Sequence, residues 1–141
     1  MKVMVTVCGR QITADGTDAP IEVITAGQYV FKNNKHYLIY EELVEGTDAI
    51  TRNTLCFNEE ECMMRRSGAV NVQMIFDKKN KTVSTYFTPY GSMVLGIDTK
   101  ALHIHKKNES VTIEIDYALD LNYEFFARCS LKAEAVVRGS L

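Results

Sequence analysis

Two adjacent guanidinium groups are the strongest chemical feature of the chain. Arg65-Arg66-Ser67-Gly68 leads through Ala69 into Val70-Asn71-Val72-Gln73-Met74-Ile75-Phe76. A guanidinium presents a planar fork of N–H donors that can grip a carboxylate or phosphate in bidentate fashion. Neighbours on a strand point to opposite faces, so only one of Arg65 and Arg66 can enter an interior. Arg66 shares parity with Cys62 and Met64, and Arg65 with Met63, so parity alone does not choose between them. The alternative is a structural ion pair with a carboxylate such as Glu41 or Glu42, because buried arginines are usually paired. Tyrosines supply the second feature. Tyr86, Thr88 and Tyr90 share a parity up to the bend at Pro89-Tyr90-Gly91. If they face a lumen, their apolar bodies and polar tips suit a small amphipathic molecule; otherwise they are ordinary packing with hydroxyls on the backbone. The candidate ligand-binding set is Arg66, Arg65, Tyr86, Thr88, Tyr90, Tyr40, Glu41 and Tyr29.

Other reactive residue types are present without the spacing that chemistry needs. His103 and His105 form His-x-His, which on a strand puts both rings on one face. Chelation would need a third ligand, such as His36, and the apolar Leu102 and Ile104 between and beside them place the histidines toward water. Cys8, Cys56, Cys62 and Cys129 form no Cys-x-x-Cys pair and read as buried thiols of a reducing compartment. Ser67 has no Gly-x-Ser-x-Gly elbow around it and reads with Gly68 as a turn. Asp116 and Asp120 lie with Glu114 on the polar face of their segment, as a solvated face rather than an acid/base pair. The chain therefore carries no expected catalytic residues, metal site or cofactor.

The segments that must position these side chains read almost everywhere with period two and nowhere convincingly with period 3.6. From Val111 to Leu121, Val111, Ile113, Ile115, Tyr117, Leu119 and Leu121 fall on one face and Thr112, Glu114, Asp116 and Asp120 on the other. The last segment repeats this, with Tyr123, Phe125, Ala127, Cys129, Leu131 and Ala133 opposite Glu124, Arg128, Lys132 and Glu134. Such alternation is the habit of antiparallel strands with one face on a core and one in water. Further strands are expected near residues 2–13, 21–32, 35–42, 49–57, 61–67, 69–76, 82–88 and 92–105. Asn33-Asn34 fits a two-residue hairpin, and Lys78-Lys79-Asn80 and Lys106-Lys107-Asn108 are polar loops. Asn58-Glu59-Glu60-Glu61 could start a helical turn. Within 92–105 the apolar parity changes from Met93, Leu95 and Ile97 to Leu102 and Ile104, which requires a bulge near Asp98 to Lys100.

Ten short strands joined by hairpins favour a single all-β domain over residues 1–141, an antiparallel up-and-down barrel of about eight to ten strands. At 141 residues, 46% hydrophobic and 24% charged, the composition is that of an ordinary soluble domain. A net charge of −2 provides no global field for nucleic acid or acidic membranes. The lysines at hairpins and edges serve to block strand-to-strand aggregation. No apolar run approaches a membrane span, and the N-terminal segment alternates as a strand rather than as a signal peptide, so a cytoplasmic location is expected.

One resemblance extends over almost the whole chain. Thr25-x-Gly27-x-Tyr29, Tyr37-Leu38-x-Tyr40-Glu41, Arg66-Ser67-Gly68, and Tyr86-x-Thr88-Pro89-Tyr90-Gly91-x-Met93-x-Leu95 with Thr99 occur in an order that resembles the bacterial YwiB-like family. That family is a small domain of unknown function placed among calycin-like (lipocalin-like) β-barrels. The resemblance implies a closed or nearly closed antiparallel barrel in a soluble bacterial protein, and it implies no activity. The chain departs from true lipocalins in having no tryptophan, and hence no Gly-x-Trp motif. The expected function is non-enzymatic binding of a small amphipathic or anionic ligand at the barrel mouth. The alternative is an interaction or structural module whose barrel is filled by side chains, acting through its outside or as a homodimer.

Overall fold

The computed structural model describes residues 1–43, 46–68 and 71–138, with the side chain of Thr88 outside that description. Ten strands follow one another: β1 (Lys2–Thr13), β2 (Asp18–Lys32), β3 (Lys35–Leu43), β4 (Ile50–Phe57), β5 (Glu61–Gly68), β6 (Val72–Asp77), β7 (Thr82–Thr88), β8 (Gly91–Lys107), β9 (Ser110–Leu121) and β10 (Glu124–Val137). Val70, expected to begin a strand, lies outside the described residues.

Consecutive strands pair with one another except β6 and β7, and β1 also pairs with β10, from Val3 opposite Val137 to Thr13 opposite Ala127. The resulting order is β6-β5-β4-β3-β2-β1-β10-β9-β8-β7. This is a circular meander whose ladder, among the described residues, is interrupted between β6 and β7. There the Thr82 hydroxyl donates to the Ile75 carbonyl and holds the two edges together at one end. The molecule is thus a nearly closed antiparallel barrel, with its seam in mid-chain rather than at the termini.

Local chemistry explains the register. Asn33 and Asn34 adopt φ of 52° and 62° between the paired Lys32 and Lys35. This left-handed pair is the turn whose twist matches a two-residue hairpin. Asn122 and Tyr123 do the same at φ 51° and 71° between Leu121 and Glu124. The register of β8 on β9 shifts between Thr99 and Ala101, which is the bulge the parity change requires. The segment at Asn58 is not a helical turn. The Asn58 side-chain oxygen accepts the amides of Glu60 and Glu61 at 2.8 and 3.0 Å, and β5 starts immediately. An Asx-type turn offers those amides a partner without the cost of nucleating a helix.

One expected face is corrected. The pairing of β10 with β9 shifts between Phe125 and Ala127, so the alternation does not run unbroken from Tyr123. Tyr123 and Phe125 are exposed, and Phe126, 37% exposed, borders the mouth of the interior. The bulge sits at the end of the sheet, where an unpaired extra residue disturbs few ladder bonds.

The inward faces fill the barrel unevenly. At the end that holds the β2–β3, β4–β5, β6–β7 and β8–β9 connections, Phe57, Phe76, Leu38, Leu55, Leu102, Ile113, Val3 and Val5 are fully buried. His36 stacks on Phe57 there at 4.9 Å between ring centroids, and Phe31 tilts against His36 at 4.8 Å. This end is closed by packed side chains. The opposite end, reached by the β1–β2, β3–β4, β5–β6, β7–β8 and β9–β10 connections, is the mouth.

Candidate functional site

The inward faces of the mouth half border an open cavity of about 490 Å³. Alternation builds its wall. β1 contributes Val7 and Gln11, β5 contributes Met64 and Arg66, and β6 contributes Val72 and Met74. Across the seam stand Tyr86 of β7, Met93 and Leu95 of β8, and Tyr117, Leu119 and Leu121 of β9. Phe126, at the β10 bulge, borders the rim. A larger depression of about 660 Å³ lies on the outer wall, where Arg10, Glu22, Glu114, Asp116 and Lys132 stand among Cys8, Ile21 and Leu131. The inner cavity has the apolar walls and few convergent polar groups of a small-molecule site.

Those polar groups meet at one point of the mouth. The Arg66 Nε–H donates to Asn53 Oδ1 at 3.0 Å, and Asn53 Nδ2 donates to Glu42 Oε1 at 3.0 Å. The guanidinium Nη2 lies 3.8 Å from Glu42 Oε2. Asn53 is completely buried, whereas Arg66 and Glu42 remain partly exposed. Thr51, directly opposite Glu42 in the ladder, is also buried, and its hydroxyl has no partner among the described residues. Tyr40 sits on the same inward face of β3, and burial, reinforced by the charge of Glu42 and opposed by Arg66, raises its phenol above the ordinary value. Burial likewise raises the Tyr117 phenol, with Cys129 adding to the effect. Both therefore remain protonated donors rather than bases.

The expected residues divide into two groups. Arg66, Tyr40 and Tyr86 line the cavity together. Arg65 points outward and donates to Gln73 Oε1 at 3.1 Å, as the opposite parity of neighbouring strand residues demands. Glu41 is exposed on the outer face opposite Arg52, and the carboxylate that meets Arg66 is Glu42. Tyr90 is 99% exposed, because the β7–β8 turn carries it off the strand before parity can turn it inward. Tyr29 belongs to the closed end, with its hydroxyl 2.6 Å from His36 Nδ1. The side chain of Thr88 lies outside the described residues.

Asn53, Gln11, Tyr117 and Phe126 were not expected in the site. Asn53 left a readable signal, since it interrupts the inward run Thr51-Asn53-Leu55-Phe57 with an amide. Phe126 left none, because its direction depends on a bulge that its own segment does not announce. His36 is inside the closed end while His103 and His105 are exposed outside, so the three do not converge. Among the described residues no group of three or more His, Cys, Asp and Glu side chains is placed to hold a metal ion. Cys62 and Cys129 are buried; Cys8 and Cys56 are only partly so. Cys8 Sγ lies 3.5 Å from Glu22 Oε2, on the outer wall.

Among the described residues, ten antiparallel strands around an interior packed at one end define a small β-barrel. Residues 5–132 match the family described as "Domain of unknown function (DUF1934)", and the chain belongs to that family. It is 31% identical over 113 residues to the "Uncharacterized beta-barrel protein YwiB" of Bacillus subtilis (strain 168), across 80% of this chain and 78% of that protein. The crystal structure of the ywiB protein from Bacillus subtilis has the same fold, with a TM-score of 0.79 at 24% identity, covering 96% of this chain and 92% of that one.

Proposed function

We propose that this barrel is a non-enzymatic binder of a small amphipathic or anionic molecule, held in the mouth half with its polar end toward Arg66. The observation that carries the reading is the joining of an apolar chamber of about 490 Å³ to a single polar cluster at its mouth. Tyr40 and Tyr86 add phenols to the same wall, and Met64, Met74 and Met93 supply a surface that adapts to an irregular apolar body. A non-catalytic role is supported by the state of the titratable groups. Burial holds the Tyr40 and Tyr117 phenols protonated, and Glu42 already accepts from Asn53.

Native mass spectrometry of gently purified protein, with thermal shifts across a lipid and metabolite panel, tests the reading. A bound small molecule, or a panel member that stabilises the wild type but not a cavity-filled Leu121→Trp variant of unchanged secondary structure, is the expected result. Ligand-free spectra without any thermal shift would count against it. A second reading, an interaction module or homodimer acting through its outside, is favoured by Phe87, Tyr90, Tyr123 and Phe125, exposed on the tips of the adjacent β7–β8 and β9–β10 hairpins. Recovery of a stoichiometric protein partner, or a dimer in light scattering that Tyr123→Ser dissolves, would support it.

A further inference from the structure

The arrangement around Arg66 distinguishes among head groups. Three side chains form a bridged pair rather than a lone cation: guanidinium to Asn53 oxygen, Asn53 nitrogen to Glu42, both at 3.0 Å. Asn53 has no exposed surface, so pulling Glu42 away would strand a buried amide donor. Glu42 is therefore tethered beside Arg66, and both border the cavity. An incoming carboxylate or phosphate would meet the cation and a fixed anion together, and the like charge would oppose it. An ammonium head would meet the reverse conflict.

The second observation is the gap. Arg66 Nη2 and Glu42 Oε2 stand 3.8 Å apart, too far for a direct hydrogen bond. The guanidinium N–H groups other than Nε–H have no further hydrogen-bond partner among the described residues. A donor and an acceptor thus face one space, each charged and each able to form a strong bond to a neutral partner. The hydroxyl of Thr51, buried and without a described partner, lies on the residue paired with Glu42.

Resting on the binder reading above, we infer that the ligand carries an uncharged head offering both an acceptor and a donor, a primary or secondary amide being the simplest case. The carbonyl accepts from Arg66 and the N–H donates to Glu42, while an unbranched apolar tail lies along Val72, Met74, Leu121 and Phe126. No charge is displaced on binding, and the Arg66–Asn53–Glu42 bridge stays intact.

Three probes with one tail length isolate the head: decanamide, decanoate and decylamine, titrated into the full chain at pH 7.5 by calorimetry. Decanamide is expected to bind tighter than either charged probe by about tenfold or more. In Glu42→Gln the opposing anion is gone, and decanoate is expected to gain about tenfold relative to the amide. Circular dichroism and thermal melting establish whether that variant is folded, and the wild-type ranking stands without it. Decanoate or decylamine binding as tightly as decanamide to the wild type overturns the head-group inference and leaves the binder reading standing. A folded Glu42→Gln with an unchanged ranking also overturns it. Saturable binding by none of the three overturns both.

Discussion

Individual residues carry two kinds of constraint here, backbone conformation and protonation. Tyr123 occupies the second position of a two-residue turn at φ 71°, a region that glycine enters without a steric penalty. The residue is 79% exposed, so little packing offsets the strain. Tyr123→Gly is expected to stabilise the protein by about 0.5 kcal/mol, the steric relief being partly cancelled by the greater freedom of glycine in the unfolded chain. A rise in the urea midpoint at constant slope checks this. His36 shows the protonation constraint. Burial foremost, then Lys106, lowers its pKa from the ordinary value of 6.5, with Glu59 opposing. A neutral ring with Nδ1 unprotonated can accept a hydrogen bond from the Tyr29 hydroxyl across their 2.6 Å separation. The unfolded imidazole takes up a proton near pH 6.5, the folded one only at lower pH. The stability due to the neutral ring is thus complete above that value and is lost as pH falls toward the folded pKa. Denaturant titrations of wild type and His36→Phe from pH 8 to pH 5 should show a steeper acid-side loss in the wild type; parallel curves would refute the assignment.

Among the elements, β8 shows how one residue governs a face. Its first half sends Leu95 and Ile97 inward, and beyond the irregularity at Thr99 and Ala101 its second half sends Leu102 inward. Lys100 is the extra residue, exposed between them. Deleting it would make Thr99 opposite Tyr117 and Ala101 opposite Asp116 consecutive pairs, so both halves of the strand would keep their faces and only the local bend of the bulge would be lost. A Lys100 deletion is therefore expected to keep cooperative unfolding at a cost of about 1–3 kcal/mol, while Lys100→Thr, which keeps the bulge, stays within about 0.5 kcal/mol of wild type. Far-UV circular dichroism and urea titration separate the two. This bulge was legible because apolar residues on both sides of it reveal the change of parity. The β10 bulge was not, because Tyr123, Phe125 and Phe126 are all aromatic and any phase through them looks apolar. The same limit applied to the arginines: Met63 and Met64 gave both parities an apolar neighbour, and only the register of β5 on β4 placed Arg66 beside Asn53.

For the whole molecule, packing is graded along the barrel axis. Phe57 at the closed end is 1% exposed and stacked on His36, so Phe57→Ala is expected to cost about 3–5 kcal/mol. Met74 borders the existing cavity, and Met74→Ala there enlarges an opening rather than creating a void; about 1 kcal/mol is expected. Equal losses in urea titrations of the two variants would contradict a half-filled barrel. What the amino-acid order determined by itself was the kind and number of elements. Alternation of apolar and polar side chains is a local property with period two, and the turn residues between strands act within a few bonds. The strand meander, the β8 bulge and the entry of only one arginine follow from those local rules. Tertiary structure decided everything that depends on which strands close the circle. The pairing of β1 with β10 leaves the seam between β6 and β7, and the register of β3, β4 and β5 brings Glu42, Asn53 and Arg66 together. Curvature and bulges then assign Phe126 to the cavity rim, Tyr90 to the solvent and Tyr29 to the far end. Such placements arise from contacts between residues distant in sequence, whose energies no single segment contains.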